Sequence, residues 1–142
     1  MTSEHCTKWE PVSGIEAPCP DISFTYEPGG EVDVTLYFSR LAGRPPQNLV
    51  LRLSGAIAAH WESESFGMIA LPSPLPSCPH PSWSRWTFPL LRVEDSAWLA
   101  AYEGRNPIVA KGRVHFALVS MNDLVHVLAL PDAAASWVDA KA

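Results

Sequence analysis

Between Glu31 and Phe38 polar and apolar side chains alternate without interruption, with Val32, Val34, Leu36 and Phe38 on one parity and Glu31, Asp33, Thr35 and Tyr37 on the other. In an extended strand successive side chains point to opposite faces, so this pattern gives one buried and one wet face, the mark of an antiparallel sheet. The β-prone run Ile22 to Glu27 precedes it, joined by the turn Glu27-Pro28-Gly29-Gly30. After the turn Ala42-Gly43-Arg44-Pro45-Pro46, a third extended segment runs from Asn48 to about Glu64. Leu49, Leu51, Leu53, Ile57, Ala59 and Trp61 share its odd parity, and Gly55 marks a bend or bulge. These three segments predict an antiparallel meander.

Five prolines between Pro72 and Pro81 forbid a regular ladder or helix there, so residues 67–89 read as a long Pro-rich loop, pinned at its exit by Trp83 and Trp86. Asp95 is placed to cap a two-turn helix that ends at Gly104, with Trp98, Leu99 and Tyr102 on its docking side. Arg113 to Ser120 and Leu124 to Leu130 are apolar on both faces, which places this hairpin in the middle of a covered sheet. Pairing 120 with 124 puts His115 near position 129, away from His126. Residues 1–20 read as an irregular arm whose removal leaves the sheet intact. In the tail, 131–142, Asp132 is positioned to cap a short helix carrying Ala134, Trp137 and Val138. At 142 residues the expectation is a single α+β domain, mainly antiparallel sheet of five to six strands with one or two short helices.

Charged residues are only 18% of the chain, below the roughly 25% of an average soluble domain, and the net charge is -5 with a pI near 5.4. That excludes a generic nucleic-acid binder, which needs a dense basic face. The charge is uneven. Residues 1–33 hold seven acids against Lys8, whereas the remainder holds nine basic and eight acidic side chains. No run of about 20 apolar residues predicts a membrane span, and the first residues lack a signal-peptide pattern, so a cytoplasmic location is expected. Cys6, Cys19 and Cys78 are odd in number and widely spaced, which fits reduced thiols.

The segment His60-Trp61-Glu62-Ser63-Glu64 is the most suggestive constellation. On a strand, His60, Glu62 and Glu64 share a face about 6 to 7 Å apart. That set suits a divalent metal or general acid–base work. Ordinary alternation makes the same even face simply solvated, opposite Leu49, Leu51 and Leu53. His60-x-Glu62 followed by Pro76-Ser77-Cys78-Pro79-His80 departs from the zinc nucleobase deaminase signature, because Cys78 does not follow a proline directly and the second cysteine is missing. His115 and His126 read as separate core histidines. No phosphate-cradling loop or G-x-S-x-G elbow is present, and no Ser/His/Asp set is singled out.

Leu49 to Ala56 leading to His60-Trp61-Glu62-Ser63-Glu64, then Ser96-Ala97-Trp98-Leu99, then Val114 to Ser120 before Asp123 to Leu128, form an order of features similar to that of small bacterial proteins, some of them immunity proteins of toxin systems. The resemblance implies a cytosolic α+β domain that works by binding another protein and carries over no functional residue. The resulting expectation is an acidic protein-binding module without a cofactor, an antitoxin that covers a basic toxin domain. Glu27, Glu31, Asp33, Glu62, Glu64, Trp83 and Trp86 are its candidate contact residues. The alternatives are a small-ligand or metal-dependent enzyme using His60, Glu62 and Glu64, and a homo-oligomer joined through the apolar hairpin.

Overall fold

A computed structural model describes residues 3–38, 41, 43, 45–63 and 69–140. Among these are nine strands in two antiparallel sheets and two helices, more strands than the five or six expected. The smaller sheet contains β2 (Asp21–Glu27), β3 (Glu31–Phe38), β4 (Gln47–Leu53) and β9 (Ala133–Asp139), in that order. The expected meander is therefore present in β2, β3 and β4. Val32, Val34, Leu36, Phe38, Leu49, Leu51 and Leu53 form its buried face, each at most 2% exposed.

The third extended segment is two strands rather than one. After Leu53 the chain leaves the smaller sheet and enters the larger as β5 (Ala58–Ser63). Gly55 makes this crossing at φ +62°, and a Cβ built there would stand 2.7 Å from Leu130 Cδ1. The odd parity does not survive the crossing. Trp61 is 53% exposed, whereas the even-numbered Glu62 is buried.

The larger sheet has the order β1 (His5–Lys8), β6 (Leu90–Glu94), β7 (Val114–Val119), β8 (Asp123–Ala129), β5. The β7–β8 hairpin is central in this sheet, as its two apolar faces predict. Phe116, Leu118, Val125 and Val127 on one face join the core of the smaller sheet. The other face carries α1 (Ala97–Arg105), whose Trp98 packs edge-on against His115 and His126 at 5.0 and 5.9 Å between ring centroids.

Four local expectations are corrected. The N-terminal arm is not a loose cover: β1 pairs with β6, Trp9 stacks 4.3 Å from Phe116, and Ile15, Ala17 and Cys19 are buried. Removing residues 1–20 would strip an edge strand and part of the core. The tail is strand β9, not a helix; Ala133, Ala135 and Trp137 turn inward with period two along the edge of β4, and Trp137 packs against Phe38. Ser96 rather than Asp95 caps α1, and Asp95 itself takes φ +54°. The helix passes through Gly104 to Arg105, and Asn106 then caps a short unforeseen helix, α2 (Pro107–Ala110). The Pro-rich loop is pinned by a bridge between Ser77 and Thr87 and by a 3-10 turn at Pro81–Trp83. Among the described residues no helix is long and apolar enough to cross a membrane.

Two glycine substitutions should move stability in opposite directions. Gly55→Ala forces a Cβ into Leu130 at a positive φ and should destabilise by roughly 1 to 3 kcal/mol. Gly104→Ala, inside an exposed helix with open space around it, should stabilise by roughly 0.5 to 1 kcal/mol. Urea denaturation of both variants checks the pair.

Candidate functional site

The β7–β8 turn is tighter than the sequence implied. Ser120 N donates to Asp123 O at 2.9 Å and Asp123 N donates to Ser120 Oγ at 2.9 Å, so only Met121 and Asn122 bridge the strands. This shifts the pairing by one residue, to Val119 opposite Leu124 and His115 opposite Leu128. Because side chains alternate with period two, such a shift exchanges faces. His115 and His126 consequently fall on the same face as diagonal neighbours rather than apart. Opposite His126 on β5 lies His60, and Glu62 is the next residue on that face.

The result is a continuous polar chain across three strands. Ser96 Oγ lies 2.7 Å from His115 Nδ1, His115 Nε2 lies 2.8 Å from His126 Nδ1, and His126 Nε2 lies 3.3 Å from Glu62 Oε1. The other carboxylate oxygen of Glu62 meets His60 Nε2 at 3.1 Å and accepts from Ile69 N at 3.4 Å. His115, His126 and the side chain of Glu62 are almost fully buried, while His60 reaches solvent with 35% of its side chain. The expectation of a solvated even face is thus corrected at Glu62.

A carboxylate accepts only, so Glu62 dictates the protons of the chain. His126 donates from Nε2 and accepts at Nδ1, His115 donates from Nε2 and accepts at Nδ1, and the Ser96 hydroxyl donates to His115; this tautomer assignment follows from the network. Burial pushes the His115 pKa down to about 3, helped by the neighbouring His126, and burial also lowers His126 against the opposing pull of Glu62. Both rings are kept from charging by the same desolvation. Ser96 and His115 line the floor of a cleft of about 530 Å³ beside the start of α1.

The sequence-based contact residues do not gather in one place. Glu27 is exposed at the end of β2, Glu31 accepts from Ser54 Oγ at 3.0 Å, and Asp33 holds Arg52 through two bonds of 2.7 and 2.9 Å. Trp83 and Trp86 stand instead beside Pro18 and Pro20, the residues that lead into the Asp21 end of β2. There they line a groove of about 460 Å³ with Pro18, Pro20 and Met121. Glu62 belongs to the buried chain, and Glu64 lies outside the described residues. Among the described residues no group of three or more His, Cys, Asp or Glu side chains is arranged to hold a metal ion. The three cysteines are free and buried, and burial raises Cys19 to about 12 and Cys6 and Cys78 to about 11. Sequence reasoning missed Ser96 and the pairing of the two histidines. Reading Met121-Asn122 as a two-residue turn would have revealed the pairing.

The buried rings make the fold acid-sensitive. His115 stays neutral when folded down to about pH 3, whereas the unfolded ring takes its proton near 6.5. Below 6.5 the unfolded chain binds more protons, so stability falls with pH. Between pH 7 and 5 the loss from this ring is about 2 kcal/mol at about 1.4 kcal/mol per pKa unit, and His126 adds to it in the same direction. The urea midpoint should drop accordingly, and His115→Gln should narrow the gap between the two pH values.

No protein-family model, curated protein or solved structure matches the chain.

Proposed function

We propose that the chain is a small protein-binding module, an antitoxin-like protein that holds a basic partner at the Trp83, Trp86 and Met121 groove. The carrying observation is the groove itself, which joins two tryptophans and a methionine to the prolines of the N-terminal arm. Trp86 and Met121 are 47% and 40% exposed, and tryptophan is enriched among the few residues that carry most of the binding energy of protein interfaces. Its walls are fixed before any partner arrives. Cys78 N donates to Trp86 O at 2.9 Å, Phe88 N to Pro76 O at 2.8 Å and Met121 N to Cys19 O at 2.9 Å, so little ordering cost remains for binding. Exposed Asp21 directly follows the groove residue Pro20, which brings negative charge close to it. Charge of this sign speeds encounter with a basic surface.

The purified chain should recover a partner from its own cells, and Trp86→Ala with Met121→Ala should weaken the complex by about 2 kcal/mol or more, roughly 30-fold, with little change in melting temperature. Association should slow as salt rises. Unchanged affinity in the double variant, or no partner from those cells, contradicts the reading.

A further inference from the structure

Ser96 stands at the junction of a strand and a helix. β6 ends at Glu94, Asp95 turns the chain at φ +54°, and Ser96 opens α1. Aspartate is one of the few non-glycine residues that adopt this left-handed conformation readily, so the tight turn suits the residue that makes it. The Ser96 hydroxyl oxygen accepts from Leu99 N at 3.1 Å, which leaves its proton aimed at His115 Nδ1, 2.7 Å away. Helix capping accounts for the first bond and not the second. The backbone N–H of Ala97, the next residue, donates to the Glu4 carboxylate at 2.6 Å. A negatively charged oxygen is therefore already seated beside the serine, where the first turn of the helix favours it. Arg92 also borders the adjoining cleft, its Nε 3.6 Å from Glu94 Oε1.

We propose that Ser96 is a nucleophile for acyl transfer from small esters, with His115 as general base, the Ala97 N–H as oxyanion donor and Glu4 as the resting occupant of the oxyanion position. Nucleophile and base lie within hydrogen-bond reach and the base is oriented by a third group, which is the arrangement such chemistry needs. Ser96 Oγ attacks the ester carbonyl carbon as its proton passes to His115 Nδ1, and the carbonyl electron pair moves to the oxygen, which takes the place of Glu4 at Ala97. Collapse of this intermediate breaks the bond to the alcohol, which leaves with the proton from His115. Water then repeats the sequence on the acyl-serine, releasing a carboxylic acid and restoring the hydroxyl. His126 and Glu62 are positioning residues: they hold the His115 tautomer with Nδ1 bare toward Ser96, and because burial disfavours charge on His115 the ring passes the proton straight on to the departing alcohol. In the resting chain Glu4 closes the site, so this activity is distinct from the surface binding proposed above.

The test exposes the full-length chain to a fluorophosphonate ester and maps the adduct by mass spectrometry. A single adduct on Ser96 is expected, formed at least tenfold faster in Glu4→Ala and at least a hundredfold slower in His115→Gln. Ser96→Gly, which keeps a residue suited to the helix start, should give none. If His115→Gln does not fold, the comparison of wild type with Glu4→Ala decides. Folded wild type and Glu4→Ala that both remain unmodified at Ser96, or that react equally at other serines, overturn the proposal. A His115→Gln rate equal to wild type removes the base, and equal rates in wild type and Glu4→Ala remove the role given to Glu4.

Discussion

Glu62 lies beneath the face of the larger sheet that carries α1, with 4% of its side chain exposed, and accepts hydrogen bonds from His126, His60 and Ile69 N. The placement of β5, β7, β8 and α1 is tied to that carboxylate, because a buried acceptor must be met by donors in the right register. Slipping β7 against β8 by one residue would turn one of the two histidines to the apolar side between the sheets and leave the other without its partner. Burying such a chain gains little over an apolar packing, yet removing one member strands the rest without water. The network thus acts mainly on specificity, selecting one pairing among several that would bury similar apolar area.

The core between the sheets supplies the larger part of the driving force and sets no such constraint. Leu36, Leu49 and Leu51 on one sheet and Phe116, Leu118 and Val127 on the other are fully enclosed. The N-terminal arm completes this core with Trp9, Ile15, Ala17 and Cys19. A chain of this size needs those residues, since small domains bury a modest fraction of their surface. The same arm thereby links both ends of the molecule: Pro18 and Pro20 wall the tryptophan groove, while Glu4 reaches the start of α1.

Much of the architecture was legible in residue order wherever alternation met a buried face. Val32 to Phe38 and Leu49 to Leu53 gave the inner face of the smaller sheet, and the doubly apolar runs around Phe116 and Val127 gave the centre of the larger one. Legibility ended where a distant pairing decides. Parity past Gly55 depends on which sheet receives the next strand, and the alanines after Asp132 become strand because β4 has an open edge. His60 and Glu62 were singled out, but their partners His126, His115 and Ser96 arrive from other strands through a register that one turn residue alters.

Because Glu62 dictates the direction of every proton in the chain, the nitrogen-15 spectrum of the histidine rings tests the account most directly. At neutral pH His115 and His126 should both be neutral, each with the proton on Nε2 and a bare Nδ1, and with a coupling across the bond from His115 Nε2 to His126 Nδ1. A proton on Nδ1 of either ring, or a charged imidazolium at either position, would contradict it.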